Sequence, residues 1–481
     1  MLGVLYVLSP IVFIFGLFMC VPWCVSLWYG DAATSAYDES VAITVAAAAL
    51  LWLVTRAYRR DLKTRDGFLV VLLTWTLLPA LATLPLLFYL DTSFTDAYFE
   101  TMSGLTTTGA TVYSGLDKLP PSINLWRHLL NWLGGMGIIV LAVAILPMLG
   151  IGGRSMFKAE TPGPMKDSKL TPRMSQTAKA LWMVYAGVTL ACILSLRVAG
   201  MTWFDAVCHS FSAMSLGGFS THDASVGFFN SVPIEVVLSV FQVIAAGNFA
   251  TYFIMMHGGG LRAWWADVEM MAMLRILILS IVGVSLFLLW QGTYPDFLTS
   301  LRYVSFNLIT IATDCGFAST DFGQWPLFAP MTMLFLSSIA ACSGSTGGGV
   351  KMIRTLILAK QAEREVQRLL HPNALITVKL GGALIENKVV FSVLAFIFVY
   401  FMTAVGLTFL LLVSGLDFLS SLSAIIACIN NAGPGLGVVG PANNYQPLTD
   451  FQTWVCTVAM LAGRLEVLTL LIVFTPGFWR K

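Results

Sequence analysis

The chain has 481 residues, 57% of them hydrophobic and only 11% charged, with a formal net charge of +2. Soluble domains carry about 25% charged residues, so a wholly water-soluble protein is excluded and most of this chain is expected to be solvated by lipid. The near-zero net charge gives no reason to expect a nucleic-acid partner.

The first charge is Asp31. A secretory leader would show a basic start and an apolar core of roughly 7–15 residues; neither is present, so 2–28 reads as a retained transmembrane helix. Further segments of about 20 or more apolar residues fall near 39–57, 68–90, 123–149, 178–199, 232–256, 272–291, 326–350, 390–414 and 451–475. Between them lie shorter apolar pieces at 93–105, 203–214, 297–312 and 417–429, too short to cross. The pattern predicts an all-α polytopic membrane protein: two leading helices, then four repeats of helix, half-helix, loop and helix around one central pore. The expected divisions are 1–62, 63–175, 176–266, 267–380 and 381–481. Ten spans put both termini on one side.

Each half-helix ends in a polar turn built on one glycine. The turns read TTTGAT at 106–111, SLGGFS at 215–220, TDCGFAS at 313–319 and NNAGPGLG at 430–437. The first two also share an Asp-Ala start (Asp96, Asp205), a serine (Ser103, Ser212) and a hydroxyl (Thr106, Ser215). Aligned on glycine, Gly109, Gly218, Gly316 and Gly433 take one role. Repetition on this scale marks a single structural unit used four times. A half-helix points the negative end of its dipole at the membrane middle, which favours a cation. Beyond it, non-helical backbone is tolerated only against protein or a cavity. The candidate carbonyl ligands for a dehydrated monovalent cation are Thr106, Thr107, Thr108 and Gly109; Ser215, Leu216, Gly217 and Gly218; Thr313, Asp314, Cys315 and Gly316; and Asn430, Asn431, Ala432 and Gly433. Asp314 either hydrogen-bonds the turn from behind or adds negative field at its side.

The charges choose a face. Of the 27 Lys and Arg residues, 22 lie in segments that the span count puts on one side, among them Arg59, Arg60, Arg154, Lys158, Lys166, Lys169, Arg173, Lys351 and Arg354. Only Lys118, Arg127, Arg197 and Arg302 lie opposite. This asymmetry makes the first face cytoplasmic, so both termini are cytoplasmic and the half-helices enter from outside. Asp96, Glu100, Asp117, Asp223 and Asp321 fall near the outer ends of the turns, where they would focus cations or simply be solvated. His209 and His222 beside the second turn read as pH sensors or polar packing.

The segment SGSTGGGVKMIR (343–354) interrupts an apolar helix. A phosphate-binding loop needs Gly-Lys followed by Ser or Thr, whereas Lys351 follows Val350 and precedes Met352. Three successive glycines are poor helix formers, so the helix should open into a loop. Arg464 lies inside the last span, where an ionised side chain faces an interior cavity or partner; carbonyls of 343–349 are its expected partners, because Glu466 lies on another face of the helix. The eight cysteines read as small buried hydrophobes. Ala359–His371 reads as a charged amphipathic helix and, with 154–179, as either a docking surface or a solvated connector. HExxH and GxSxG are absent, which argues against an enzyme.

Together with GGMGIIVLAVAILP (134–147) and AGRLEVLT (462–469), these motifs resemble the Trk/Ktr/HKT family of potassium transporters, in its bacterial TrkH type, over essentially the whole length. The resemblance implies potassium uptake across the bacterial inner membrane, potassium bound in the filter, no organic cofactor, and a homodimer. It also implies a cytoplasmic ring of NAD-, ATP- or ADP-binding regulatory subunits, and a mobile loop beneath the filter formed by Gly344, Gly347, Gly348 and Gly349, with Arg464 beside the ion path. One glycine per turn, where potassium channels have TVGYG, implies looser discrimination among monovalent ions; glycine at Gly109, where some members carry serine, favours potassium over sodium. A secondary transporter coupling a small cation to protons or sodium is the alternative; such folds also use broken helices.

Overall fold

The computed structural model describes residues 2–58, 63–137, 174–256 and 260–480. The 138–149 part of the span expected over 123–149 therefore lies outside the described residues. So do Arg59, Arg60, Arg154, Lys158, Lys166, Lys169 and Arg173, and the 154–173 part of the basic stretch.

The chain is a helical membrane protein. Leu2–Tyr29 and Thr34–Thr55 form an antiparallel pair ahead of the repeats. The Tyr37 hydroxyl fastens this pair to the first repeat by donating to the Ser122 carbonyl at 3.0 Å. Among the described residues, six helices are long and apolar enough to cross a bilayer, and a seventh candidate is a bent pair. Their outer faces carry exposed Phe391, Phe398, Phe401 and Phe409 on Asn387–Val413, which suits a lipid environment.

The four repeats follow one plan. A long first helix (Thr64–Ala82, Met174–Val198, Val268–Trp290, Asn387–Val413) leads to a short pore helix (Phe94–Leu105, Trp203–Ser215, Phe297–Ala312, Phe418–Asn430), a turn, and a second helix. Each pore helix starts the same way for the same reason: Ser93, Thr202, Asp296 and Asp417 accept a hydrogen bond from the main-chain N–H three residues on, satisfying a donor the helix leaves open.

The second helices depart from expectation. They run Pro121–Gly135, Val232–Ala246, Phe328–Ser337 and Asp450–Arg464; the longest have 15 residues, or about 22 Å, short of a bilayer's ~30 Å core. The continuous spans expected over 232–256 and 451–475 are broken, and that over 326–350 opens into a loop as its three glycines suggested. The last turns through 107° between Arg464 and Val467, where Glu466 adopts φ +53. The first and last breaks follow a close approach. A Cβ on Gly134 would lie 1.9 Å from the Leu105 carbonyl oxygen, and one on Gly463 would lie 2.0 Å from that of Ile429. Both oxygens sit four residues before the turn glycine of their own repeat, so the second helix presses its backbone onto the end of its pore helix.

Six of the eight cysteines are buried, as expected of small hydrophobes; Cys20 is half-buried and Cys24 exposed. The apolar core gathers in two main masses, one joining the N-terminal helices with the first and fourth repeats, the other joining the second and third.

Candidate functional site: a ring of four turns

Each pore helix ends in the same hydrogen-bonded cap. The N–H groups of Thr108, Gly217, Cys315 and Ala432 donate to the carbonyls of Ser103, Ser212, Thr310 and Ala427, all at 2.8 Å. These six-to-one bonds define a Schellman turn, which needs a left-handed residue before the donor. Thr107, Leu216, Asp314 and Asn431 fill that place with φ between +56 and +67. Leucine and threonine disfavour this conformation, and no pattern in the sequence announces it.

Two residues on, Gly109, Gly218, Gly316 and Gly433 are left-handed again, with φ from +65 to +89. The residue between stays outside that region in all four turns. Alternating the sign of φ turns successive carbonyls toward one side, whereas uniform extended backbone sends them to opposite sides.

The four turns close on one another in chain order. A Cβ on Gly109 would lie 2.2 Å from the Gly217 carbonyl oxygen; on Gly218, 1.9 Å from that of Cys315; on Gly316, 2.4 Å from that of Ala432; and on Gly433, 2.7 Å from that of Thr108. Each glycine lets its strand lie against the next repeat's carbonyl, and the fourth returns to the first. All four glycines also line one cavity, with His222 and Asp223 at its rim.

Side chains brace the ring from behind. Asn431 Nδ2 donates to Thr108 Oγ1 at 2.9 Å and to the Met460 carbonyl at 3.0 Å. Asn430 Nδ2 donates to Ser337 Oγ at 2.8 Å and Ser338 Oγ at 3.0 Å, while its Oδ1 accepts from the Tyr400 hydroxyl. The Thr106 and Thr108 hydroxyls bond each other at 2.8 Å, and the Ser215 hydroxyl turns back to the Phe211 carbonyl at 2.8 Å. Asp314 does not brace its turn: it is fully buried, no side chain hydrogen-bonds its carboxylate, and the Gly348 N–H of the glycine loop faces it.

One expectation about charge is corrected. Glu100 is not at the mouth. It is 1% exposed, pairs with the equally buried Arg127 at 2.8 Å, and accepts from the Val112 N–H and Thr111 hydroxyl. Arg127 reaches on to the Ser220 carbonyl and stacks 4.4 Å over Phe219, tying the first turn to the second. Arg302, placed with the outer charges, binds Glu235 through two nitrogens at 2.7 and 2.9 Å. Burying either charge without its partner would be costly; their partners lie 27 and 67 positions away, beyond any local pattern. Lys351 and Arg354, counted with the basic segments of one face, are buried.

Below the ring lies the glycine loop. Its Thr346 hydroxyl donates to the Met214 carbonyl at 3.1 Å. A Cβ on Gly347 would lie 3.2 Å from the Thr313 carbonyl oxygen, and one on Gly348 1.8 Å from that of Asn430. Gly344 is left-handed against Asn248, and Gly349 packs on the Ser337 and Ser338 carbonyls. Glu269 anchors the entry by accepting from the Ser343 N–H at 2.7 Å and hydroxyl at 2.6 Å. Arg464 supplies contact with the first repeat. Its guanidinium donates to Thr107 Oγ1 at 3.3 Å, the Thr346 carbonyl at 3.0 Å, and the Gly134 and Gly135 carbonyls. Glu466 points elsewhere and pairs with Arg354 at 2.8 Å.

Within the second pore helix His209 is packing: Nδ1 meets the Asp205 carbonyl and Nε2 the Ser220 hydroxyl, both at 2.9 Å. His222 bridges Asp117 and Asp205 while stacking 3.6 Å over Phe228. Asp223 accepts from the N–H groups of Gly115 and Leu116.

A family model described as TrkH, a cation transport protein, matches residues 34–481. The chain is 45% identical to the Trk system potassium uptake protein TrkH of Vibrio parahaemolyticus, covering 100% of this chain and 99% of that one. It is 42% identical to the TrkH protein of Salmonella typhimurium, covering 99% and 98%. Among solved structures it superposes on the crystal structure of the potassium transporter TrkH from Vibrio parahaemolyticus with a TM-score of 0.89, at 42% identity, covering 100% of this chain and 99% of that one.

Proposed function

This chain belongs to the TrkH family of cation transport proteins, and on that premise we propose that it takes up potassium through the pore its four turns enclose. The carrying observation is the closed order of contacts, Gly109 to Gly217, Gly218 to Cys315, Gly316 to Ala432 and Gly433 to Thr108. That closure brings main-chain oxygens of four equivalent turns around one axis, where they replace the water shell of a dehydrated ion. Four pore-helix C-termini add negative potential at the same place. The residues at 106–109, 215–218, 313–316 and 430–433 then form the filter by their backbone, with the Asn430 and Asn431 side chains in support.

Loop 343–349 is the gate in this reading. It packs against turns two, three and four and reaches the first through Arg464, so its withdrawal opens the space below all four. The guanidinium both pins the loop and repels cations while the pore is closed. Family likeness supports placement in the bacterial inner membrane with cytoplasmic termini, a homodimer, and a cytoplasmic nucleotide-binding regulatory ring. Exposed Val366, Leu369 and Leu370 near the end of helix Met352–Leu370 offer that ring a contact.

The test is rubidium flux into liposomes holding the purified chain, with potassium and sodium as competitors, together with rescue of an uptake-deficient bacterium at limiting potassium. Rubidium entry suppressed by potassium far more than by sodium is expected. Absence of monovalent-cation flux from folded protein would refute the proposal, and a strict requirement for a proton or sodium gradient would make it a coupled carrier.

A further inference from the structure

Asp314 holds the left-handed position of the third turn, where the other repeats place Thr107, Leu216 and Asn431, all uncharged. Its carboxylate is fully buried, no side chain hydrogen-bonds it, and it faces the Gly348 N–H of the glycine loop. An ionised group so placed is stable only opposite a positive charge. The glycine loop carries one. Lys351 is also buried and left-handed, with φ +76. Its ammonium donates to two neutral groups of its own loop, the Gly347 carbonyl and, at 3.4 Å, Ser345 Oγ. Gly347 in turn rests on Thr313, next to Asp314.

The surrounding charges are engaged elsewhere. Arg464 binds the Thr107 hydroxyl and loop and helix-end carbonyls, Arg354 pairs with Glu466, and Glu269 holds Ser343. An acidic residue thus appears in the filter only in the repeat whose own second helix opens into the loop, and that loop returns a buried lysine beside it.

We propose that Asp314 and Lys351 are a positioning pair in which the third turn's carboxylate draws the loop lysine upward and holds the glycine loop shut beneath the filter. When the loop withdraws, the lysine leaves with it and the carboxylate faces the passing cation. This rests on the reading of 343–349 as the gate.

The experiment measures rubidium flux through the purified full chain in liposomes without any partner, for Asp314→Asn, Lys351→Met, the double variant and Lys351→Arg. Each neutralising single variant should raise this resting flux about tenfold, equivalent to ~1.4 kcal/mol. The double variant should match the singles rather than multiply them, and Lys351→Arg should stay near the parent because it keeps the charge. Multiplying effects, or unchanged resting flux in both folded singles, would overturn the pair. So would an altered rubidium-to-sodium ratio for Asp314→Asn at unchanged resting flux, which would place the carboxylate on the ion instead. If Asp314→Asn does not fold, the contrast between Lys351→Met and Lys351→Arg decides: equal fluxes reject the pair. Deleting Gly347 and Gly348 separates the two readings, since a loop that is no gate leaves flux unchanged, whereas a gate without this latch opens on deletion and not on either substitution.

Discussion

Substituting alanine at the ring glycines should damage transport in an order set by geometry. Every one of these positions is left-handed, so alanine costs about 1–2 kcal/mol in backbone conformation anywhere on the ring. The added methyl then meets a carbonyl oxygen of the next repeat. Side-chain Cβ atoms essentially never come within 3.0 Å of another heavy atom, yet the gaps are 1.9 Å at Gly218, 2.2 Å at Gly109, 2.4 Å at Gly316 and 2.7 Å at Gly433. Gly218→Ala must therefore push the third turn away by about 1 Å, and Gly433→Ala by only a few tenths. A displaced ligand costs an ion part of its coordination, and each 1.4 kcal/mol lost is a factor of ten. We expect potassium-over-sodium selectivity in liposome flux to fall most for Gly218→Ala, by tenfold or more, then for Gly109→Ala, Gly316→Ala and Gly433→Ala. Gly292→Ala is the control: its φ is +71 and nothing lies within 4 Å of the added methyl, so it carries the backbone cost and should leave selectivity intact. Equal losses at all four positions, or parental selectivity in Gly218→Ala, would refute the claim that the turns touch in a closed ring.

Arg464→Ala should raise resting rubidium flux several-fold and lower thermal stability by about 3 kcal/mol, since charge-assisted hydrogen bonds to buried carbonyls are lost; unchanged flux in folded protein counts against its barrier role. Glu100→Gln should cost about 3–5 kcal/mol by stranding the buried Arg127, read by thermal unfolding, and a double variant with Arg127→Met should recover part of it. His222 gives a pH signature. Burial pulls its pKa down, but hydrogen bonds and charge from Asp205 and Asp117 outweigh that and hold it above 6.5. Its stabilisation is therefore complete below the unfolded value of ~6.5 and is lost as pH rises through the higher folded value. The Asp117 and Asp205 carboxylates are held low, against burial, by hydrogen bonds that include His222, so their share persists until pH falls well below ~4. Exchange protection of the 112–118 and 219–229 loops should be greater at pH 6 than at pH 8, and His222→Gln should abolish that difference.

Much of the architecture could be read directly. The pore helices begin and end within a residue or so of the apolar pieces, because their termini carry local chemistry, an N-cap at one end and a small-residue turn at the other. The three glycines announced the opening of the third second helix, but the breaks in the others could not be read. Residues 451–475 are uncharged apart from Arg464 and Glu466, and what bends them is the contact of Gly463 with Ile429 and of Arg464 with three other segments. The left-handed Thr107 and Leu216 were equally invisible, since neither residue favours that conformation and only the ring imposes it. Glu100 was misplaced for a related reason: an acidic residue near a mouth looks solvated until the partner on another helix is seen.

The order of contacts also bears on what completes the wall. The wall is sealed only where the last quarter lies against the first, through Gly433 at Thr108 and Asn431 on the same threonine, more than 300 positions apart along the chain. Without that quarter the ring has no closing side, so four-sided enclosure is a property of the full-length chain alone.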